Sequence, residues 1–150
     1  MKDKKNNAVI TEEGKVFFDS NILIYFVDER DERKQSIAKE IIADAVQNQN
    51  GMISTQSLQE FYNVVTKKMN CPKEKAKELV TMFSELFPVT QITIPLILSA
   101  IDISIKNEFS FWDSLILSTA NDTGCVLLYS EDLNSGQIIS GTKVLNPFLT

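Results

Sequence analysis

VFFDSNILIYFV, residues 16 to 27, sets an apolar run directly against an aspartate and follows it with a second apolar run. Val16 to Phe18 reads as a strand, Asp19 as a charged group at its carboxyl end, and ILIYFV as the body of a helix. The same order recurs downstream. Met52 to Ser54, Val89 to Ile92, Val126 to Tyr129 and Val144 to Leu145 are further short strand candidates, separated mostly by helical patterns. Strands alternating with helices predict a parallel sheet with helices on both faces, and ligands gather beyond the carboxyl ends of such strands.

The helical patterns are well punctuated. From Arg33 to Gln47, apolar residues recur at Ile37, Ile41 and Ala45 and at Ala38, Ile42 and Val46, which makes one buried stripe. Leu58, Phe61, Tyr62, Val65 and Met69 share a face of a helix over Gln56 to Met69. Pro72 suits a first turn, after which Ala76, Leu79, Val80, Phe83 and Phe87 repeat until Pro88 stops them. Pro95 opens a helix carrying Leu96, Ile97, Ala100 and Ile101, with Asn107 as its end. A last helix runs from Phe111 to Asp122, where Gly124 supplies a left-handed cap. CVLLYS, residues 125 to 130, then reads as a strand buried on both faces.

Four acids follow this frame: Asp19 after strand one, Glu60 in the first helical turn after strand two, Asp113 at the start of the helix before strand four, and Asp132 after strand four. Asp113 is the hardest to place, because a helix leading into a strand is expected to start at the opposite end of the sheet unless it tilts. The chain has no histidine, which removes Ser-His-Asp triads and most zinc sites and leaves chemistry to carboxylates. Oxygen ligands suit Mg²⁺ or Mn²⁺, ions that activate water and neutralise a reacting phosphate. A metal-dependent phosphodiesterase is the reading these residues support. Carboxylates crowded together without metal should raise the pKa of at least one of them.

Each acid also has a structural explanation. Asp19 can cap the helix that follows it. Ser57 with Glu60, and Ser110 with Asp113, match capping boxes. Asp132 can start a turn with Asn134, and Glu131 is a substitute for it. Ser130 can support a ligand or bond to its own backbone.

A chain of 150 residues, 43% apolar and 23% charged, is the size of one domain with its own core. Residues 1 to 14 read as an extension dispensable to that core and residues 15 to 150 as the domain. MKDKKNNAVITEEG has no apolar signal region and no run is long enough to span a bilayer, so a cytoplasmic protein is expected. Cys71 and Cys125 form no disulfide or metal pattern. The net charge of −5 opposes a general nucleic-acid binder. Setting the four acids aside leaves about −1, and a bound cation reverses part of their repulsion. Arg30, Arg33 and Lys34, Lys67 and Lys68, and Lys73, Lys75 and Lys77 are basic groups that can track a phosphate backbone or simply solvate helix faces. No phosphate loop, dinucleotide turn or H-E-x-x-H is present, and D-S-N at Asp19 to Asn21 departs from a D-x-D phosphatase.

In order, FFDSNILIYFVD (17 to 28), STQSLQEFYNVVTKK (54 to 68), FSFWDSLILSTANDTGC (109 to 125) and LLYSEDLNSGQ (127 to 137), with VLNPF at 144 to 148, resemble the successive signatures of PIN-domain ribonucleases of the VapC-like toxin group. The resemblance spans roughly residues 16 to 149. It implies a three-layer α/β/α sandwich around a parallel sheet of about five strands in order 3-2-1-4-5. Asp19, Glu60, Asp113 and Asp132 would be its acidic quartet, Asn21 and Ser130 polar supports, and Mg²⁺ or Mn²⁺ the cofactor, held chiefly by Asp19 and Asp113. Ser20 stands where the family often has threonine. The implied function is hydrolysis of RNA by a metal-activated water, as a toxin held by an antitoxin protein and able to form a homodimer. The alternatives are a PIN nuclease of RNA processing without an antitoxin and a non-catalytic binding module.

Overall fold

The computed structural model describes residues 14–149. The N-terminal extension read from the sequence therefore lies outside the described residues, Gly14 excepted. Strands β1 (Val16–Phe18), β2 (Gly51–Ser54), β3 (Val89–Thr90), β4 (Leu127–Tyr129), β5 (Ile138–Ile139) and β6 (Thr142–Leu145) form one sheet in the order β3-β2-β1-β4-β6-β5. All neighbouring pairs are parallel except β5 with β6. The expected order of five parallel strands is thus observed in β3-β2-β1-β4-β6, and the correction is a sixth, antiparallel strand at the edge.

β1 is the centre of the design. Successive side chains of a strand point to opposite faces, and Phe17 and Phe18, both fully buried, enter different cores. Phe18 joins Ile22, Leu23, Ile42, Ile53, Phe61, Val65 and Phe83 on one face. Phe17 joins Ile116, Leu117, Leu128 and Val144 on the other. Each fully buried phenyl ring contributes roughly 1.5–3 kcal/mol relative to exposure, so the adjacent pair ties both layers to one strand.

The first core is covered by helices α1 (Ser20–Val27), α2 (Glu32–Asn48), α3 (Thr55–Lys67) and α4 (Lys73–Leu86). The second lies under α6 (Phe111–Asp122), with α5 (Ile94–Asn107) against α6. Pro72 caps α4 and Pro95 lies in the first turn of α5, as their fixed φ favours. Gly124, at φ +76°, donates its N–H to the Asn121 carbonyl and turns the chain into β4. Leu96 and Ala100 of α5 are buried, but Ile101 is not. It stands with Ile94, Leu98 and Ile105 in an exposed apolar stripe along the helix. No helix among the described residues is long and apolar enough to cross a membrane.

Gly51 sits where β2 passes closest to helix-borne side chains. A Cβ there would stand 2.5 Å from Cε1 of Phe87 and 3.0 Å from Cβ of Ala45. Phe87 is itself buried against Phe18, with ring centroids 5.4 Å apart. Gly51→Ala is therefore expected to cost about 1–3 kcal/mol through overpacking. A lower urea midpoint with unchanged slope would record it, and an unchanged midpoint would mean that the Phe87 ring has room to move.

Candidate functional site

β1 and β4 run side by side, so the residues after them emerge together at the carboxyl edge of the sheet. Asp19 leaves β1 there, its backbone N–H donating to the Tyr129 carbonyl at 3.0 Å. Its Oδ1 accepts the Ser20 N–H at 2.7 Å, so the capping reading of Asp19 is correct as far as it goes. Its Oδ2 is directed elsewhere. Ser130 Oγ donates to it at 2.8 Å and Asn21 Nδ2 at 3.4 Å.

Asn21 Nδ2 also donates to Asp132 Oδ2 at 3.2 Å, while Ser130 Oγ accepts the Asp132 N–H at 3.2 Å. The Asn21 amide thus bridges two carboxylates 113 positions apart in the chain, and the Ser130 hydroxyl ties the Asp19 carboxylate to the Asp132 backbone. Asn21 and Ser130 are buried. Asn21 donates to both acids, whereas Ser130 donates to Asp19 and accepts from the Asp132 N–H. Asn21 Oδ1 further accepts the Glu131 N–H, which fixes the turn from which Asp132 projects.

Asp19 is buried and has its pKa raised to about 7. Burial is the largest cause, the Ser130 and Ser20 hydrogen bonds oppose it, and the charges of Glu60 and Asp132 add to it. A raised carboxyl is what crowded acids predict, but desolvation leads and repulsion follows. Among the described residues, no cation is one of the groups that set this pKa. A buried carboxylate without a counter-charge is unfavourable, and it is relieved by a proton or by a cation brought from outside.

Glu60 reaches the site by a different local structure from the one expected. The cap of α3 is Ser54, whose Oγ accepts the Ser57 N–H at 3.2 Å, and Ser57 Oγ donates to the Phe18 carbonyl at 3.1 Å. Ser57 is therefore not a cap. The capping-box explanation of Glu60 falls, and the residue stays half-buried near enough to Asp19 to raise its pKa.

Asp113 stands apart. Ser110 Oγ does accept the Asp113 N–H at 3.1 Å, as the capping pattern required. Gln56 Nε2, on the first turn of α3, donates to the Trp112 carbonyl at 3.2 Å, which brings the start of α6 to the first turn of the helix that follows β2. The expectation that α6 begins at the far end of the sheet is thus corrected. A helix running antiparallel to the strand it feeds starts at that strand's carboxyl edge. Asp113 is nonetheless absent from the groups that shift Asp19, and among the described residues no three acidic side chains stand together at ligand spacing. The structure couples Asp19 to Asp132 through Asn21 and Ser130, and electrostatically to both Glu60 and Asp132, and leaves Asp113 on the neighbouring helix.

Glu131 is occupied by other partners. Tyr25 Oη donates to its Oε1 at 2.8 Å, and Lys34 forms an ion pair with Oε2 while lying 4.7 Å from the Tyr25 ring centroid. These contacts remove Glu131 as a stand-in for Asp132. They also engage Lys34, one of the basic groups read as able to track a backbone, and Asp28 engages another, Arg30. This cluster had no local signal in the sequence. The lysines at 67, 68, 73, 75 and 77 remain exposed.

The donor set is chemically suited to a hard divalent cation: carboxylate oxygens, one carboxylate buried with no cation among the described residues acting on it, and neutral hydrogen-bond donors that orient them.

The family model for the PIN domain matches residues 16–137. No curated protein matches the chain in sequence. Among solved structures, Mycobacterium tuberculosis VapC20, a sarcin-ricin loop cleaving toxin, is similar with a TM-score of 0.64 at 20% identity, over 78% of this chain and 89% of that one. A toxin-antitoxin complex from Klebsiella pneumoniae gives 0.63 at 19% identity, over 88% and 97%. VapBC2 from Rickettsia felis, bound to a DNA fragment from its promoter, gives 0.56 at 16% identity, over 78% and 87%. At these identities the likeness is one of fold.

Proposed function

Because this chain belongs to the PIN-domain family, we propose that it is a metal-dependent endoribonuclease and the toxin of a toxin-antitoxin pair. The observation that carries the reading is the buried Asp19, whose pKa is set by no cation among the described residues, joined through Asn21 and Ser130 to Asp132. Such an arrangement costs stability in the folded protein and is repaid when a divalent ion binds.

Asp19 and Asp132 would hold Mg²⁺ or Mn²⁺, with Glu60 and Asp113 completing the acidic quartet. When bound, the ion supplies charge neutralisation at the scissile phosphate and lowers the pKa of a water. Ser130 holds Asp19 Oδ2 by donating to it, and Asn21 keeps Asp132 turned toward Asp19. The carboxylates repel a phosphate until a cation is present, so the chain by itself should bind RNA poorly at this edge. The exposed lysines of α3 and α4 give the backbone a positive surface nearby. The similarity of fold to VapC toxins supports RNA as substrate and an antitoxin as protein partner, in the cytoplasm. A second copy of this chain belongs to the same proposal, and the apolar stripe on α5 is surface of the kind such contacts bury.

A panel of structured RNAs incubated with Mg²⁺, Mn²⁺ or a chelator tests the reading. Cleavage should require a metal, and induced expression should arrest growth. Equal cleavage in chelator would refute metal dependence, and a folded protein that cleaves nothing and leaves growth unchanged would refute the toxin. That no three acids among the described residues stand at ligand spacing favours a second reading, a non-catalytic PIN-like module. Calorimetry separates the two, because that module should show no Mn²⁺ binding sensitive to Asp19.

A further inference from the structure

A cavity of about 320 Å³ opens between α3 and α6, lined by Gln56, Gln59, Glu60, Asn63 and Trp112. We propose that it is a nucleobase subsite, in which a base next to the scissile phosphate stacks on Trp112 and is read by the carboxamides of α3. The inference rests on the ribonuclease reading and adds to it the place where the substrate is recognised.

Gln56 points to a missing ligand. It is only 4% exposed, and its Nε2 donates to the Trp112 carbonyl. A carbonyl can only accept, so the orientation of the amide is settled, and Oε1 is left buried with no donor among the described residues. A buried acceptor without a partner is unfavourable and is explained when a ligand supplies the N–H. Every base except one fully alkylated on its edge carries such a donor. Gln59 and Asn63 stand one helical turn apart on the same face, both exposed, and add donors and acceptors for a Watson–Crick edge.

Trp112 supplies the stacking surface. Its side chain is 62% exposed, although tryptophan usually covers itself, and it is held edge-on by Phe111 at a centroid distance of 5.1 Å. The lining contains an indole, three carboxamides and one carboxylate, and no cation. That chemistry rejects a phosphate and accepts a neutral aromatic ring. Glu60 belongs both to this lining and to the acids around Asp19, so a base held here lies beside the reacting edge.

Trp112 is the only tryptophan in the chain, so its fluorescence reports on the cavity directly. The full chain in chelator, titrated with nucleosides, which carry no phosphate for the acids to repel, should show saturable quenching. In Mn²⁺, Trp112→Ala should raise KM for RNA cleavage about five- to 150-fold, the range for one stacked base, with a smaller fall in kcat. Trp112→Phe should recover most of that loss, and Gln56→Met should change which base is preferred at one position beside the cut. Quenching without cleavage by any metal would keep the subsite and sink the nuclease. Cleavage with unquenched fluorescence, or a Trp112→Ala defect confined to kcat, would overturn the subsite and leave the nuclease standing.

Discussion

Asp19→Asn is expected to lower RNA cleavage by more than about 100-fold, the loss typical of merely outer partners of a metal ligand, and at the same time to stabilise the metal-free fold above pH 7. The second effect follows from burial. The folded protein holds a proton on Asp19 up to about pH 7, whereas an unfolded chain releases it near 3.8. Between those values the native state binds more protons than the unfolded state, so stability falls as pH rises from about 4 to about 7, at about 1.4 kcal/mol per pH unit. The total is on the order of 4 kcal/mol, and it is absent in asparagine, which has no charge to desolvate. Urea unfolding of both proteins at pH 4, 5.5 and 8 should therefore show the variant gaining on the wild type with pH and keeping its lead above 7. Mn²⁺ should close the gap by stabilising the wild type alone. A variant no more stable than wild type at pH 8 would mean that Asp19 is not desolvated as its surroundings indicate.

The affinity for Mn²⁺ should fall close to tenfold for each pH unit below about 7, and so about 100-fold between pH 8 and pH 5, because one proton competes with the ion for one carboxylate. Calorimetry in buffers of different ionisation enthalpy should find nearly one proton released per ion at pH 5.5 and almost none at pH 8. Ser130→Ala removes the hydrogen bond that most lowers the Asp19 pKa and should move the whole profile toward higher pH. A flat profile, with no proton released at either pH, would place the ion on other ligands.

The frame of this fold was legible because its signals are local. Pro72, Pro88, Pro95 and Gly124 mark helix boundaries by backbone chemistry that needs no tertiary context, and α6 occupies the residues expected of it, Phe111–Asp122. β5 was not legible. Two residues that pair only with β6 carry no periodicity. The cap of α3 was placed three residues late, because Ser57 with Glu60 matches the capping pattern and Ser54, followed three residues on by a serine, does not, while the Ser57 hydroxyl is in fact spent on the Phe18 carbonyl.

For the site, the resemblance named Asn21 and Ser130 as polar supports, whereas Asp19 and Asp132 were recognisable from their positions after β1 and β4, since parallel neighbours bring the ends of their strands together. Their exact linkage was not, and neither was the cause of the raised Asp19 pKa, which depends on how deeply the layers bury the end of β1. The role of Gln56 was invisible for the same reason. An unpaired oxygen is a property of surroundings, and no sequence spacing encodes it.

Both borders of the sheet are strands of two residues, β3 on one side and the antiparallel β5 on the other. Such stubs offer a foreign backbone too few open amides to template an added strand. Copies of the chain are thereby kept from zipping together along the sheet, and association is left to the surfaces of the helices.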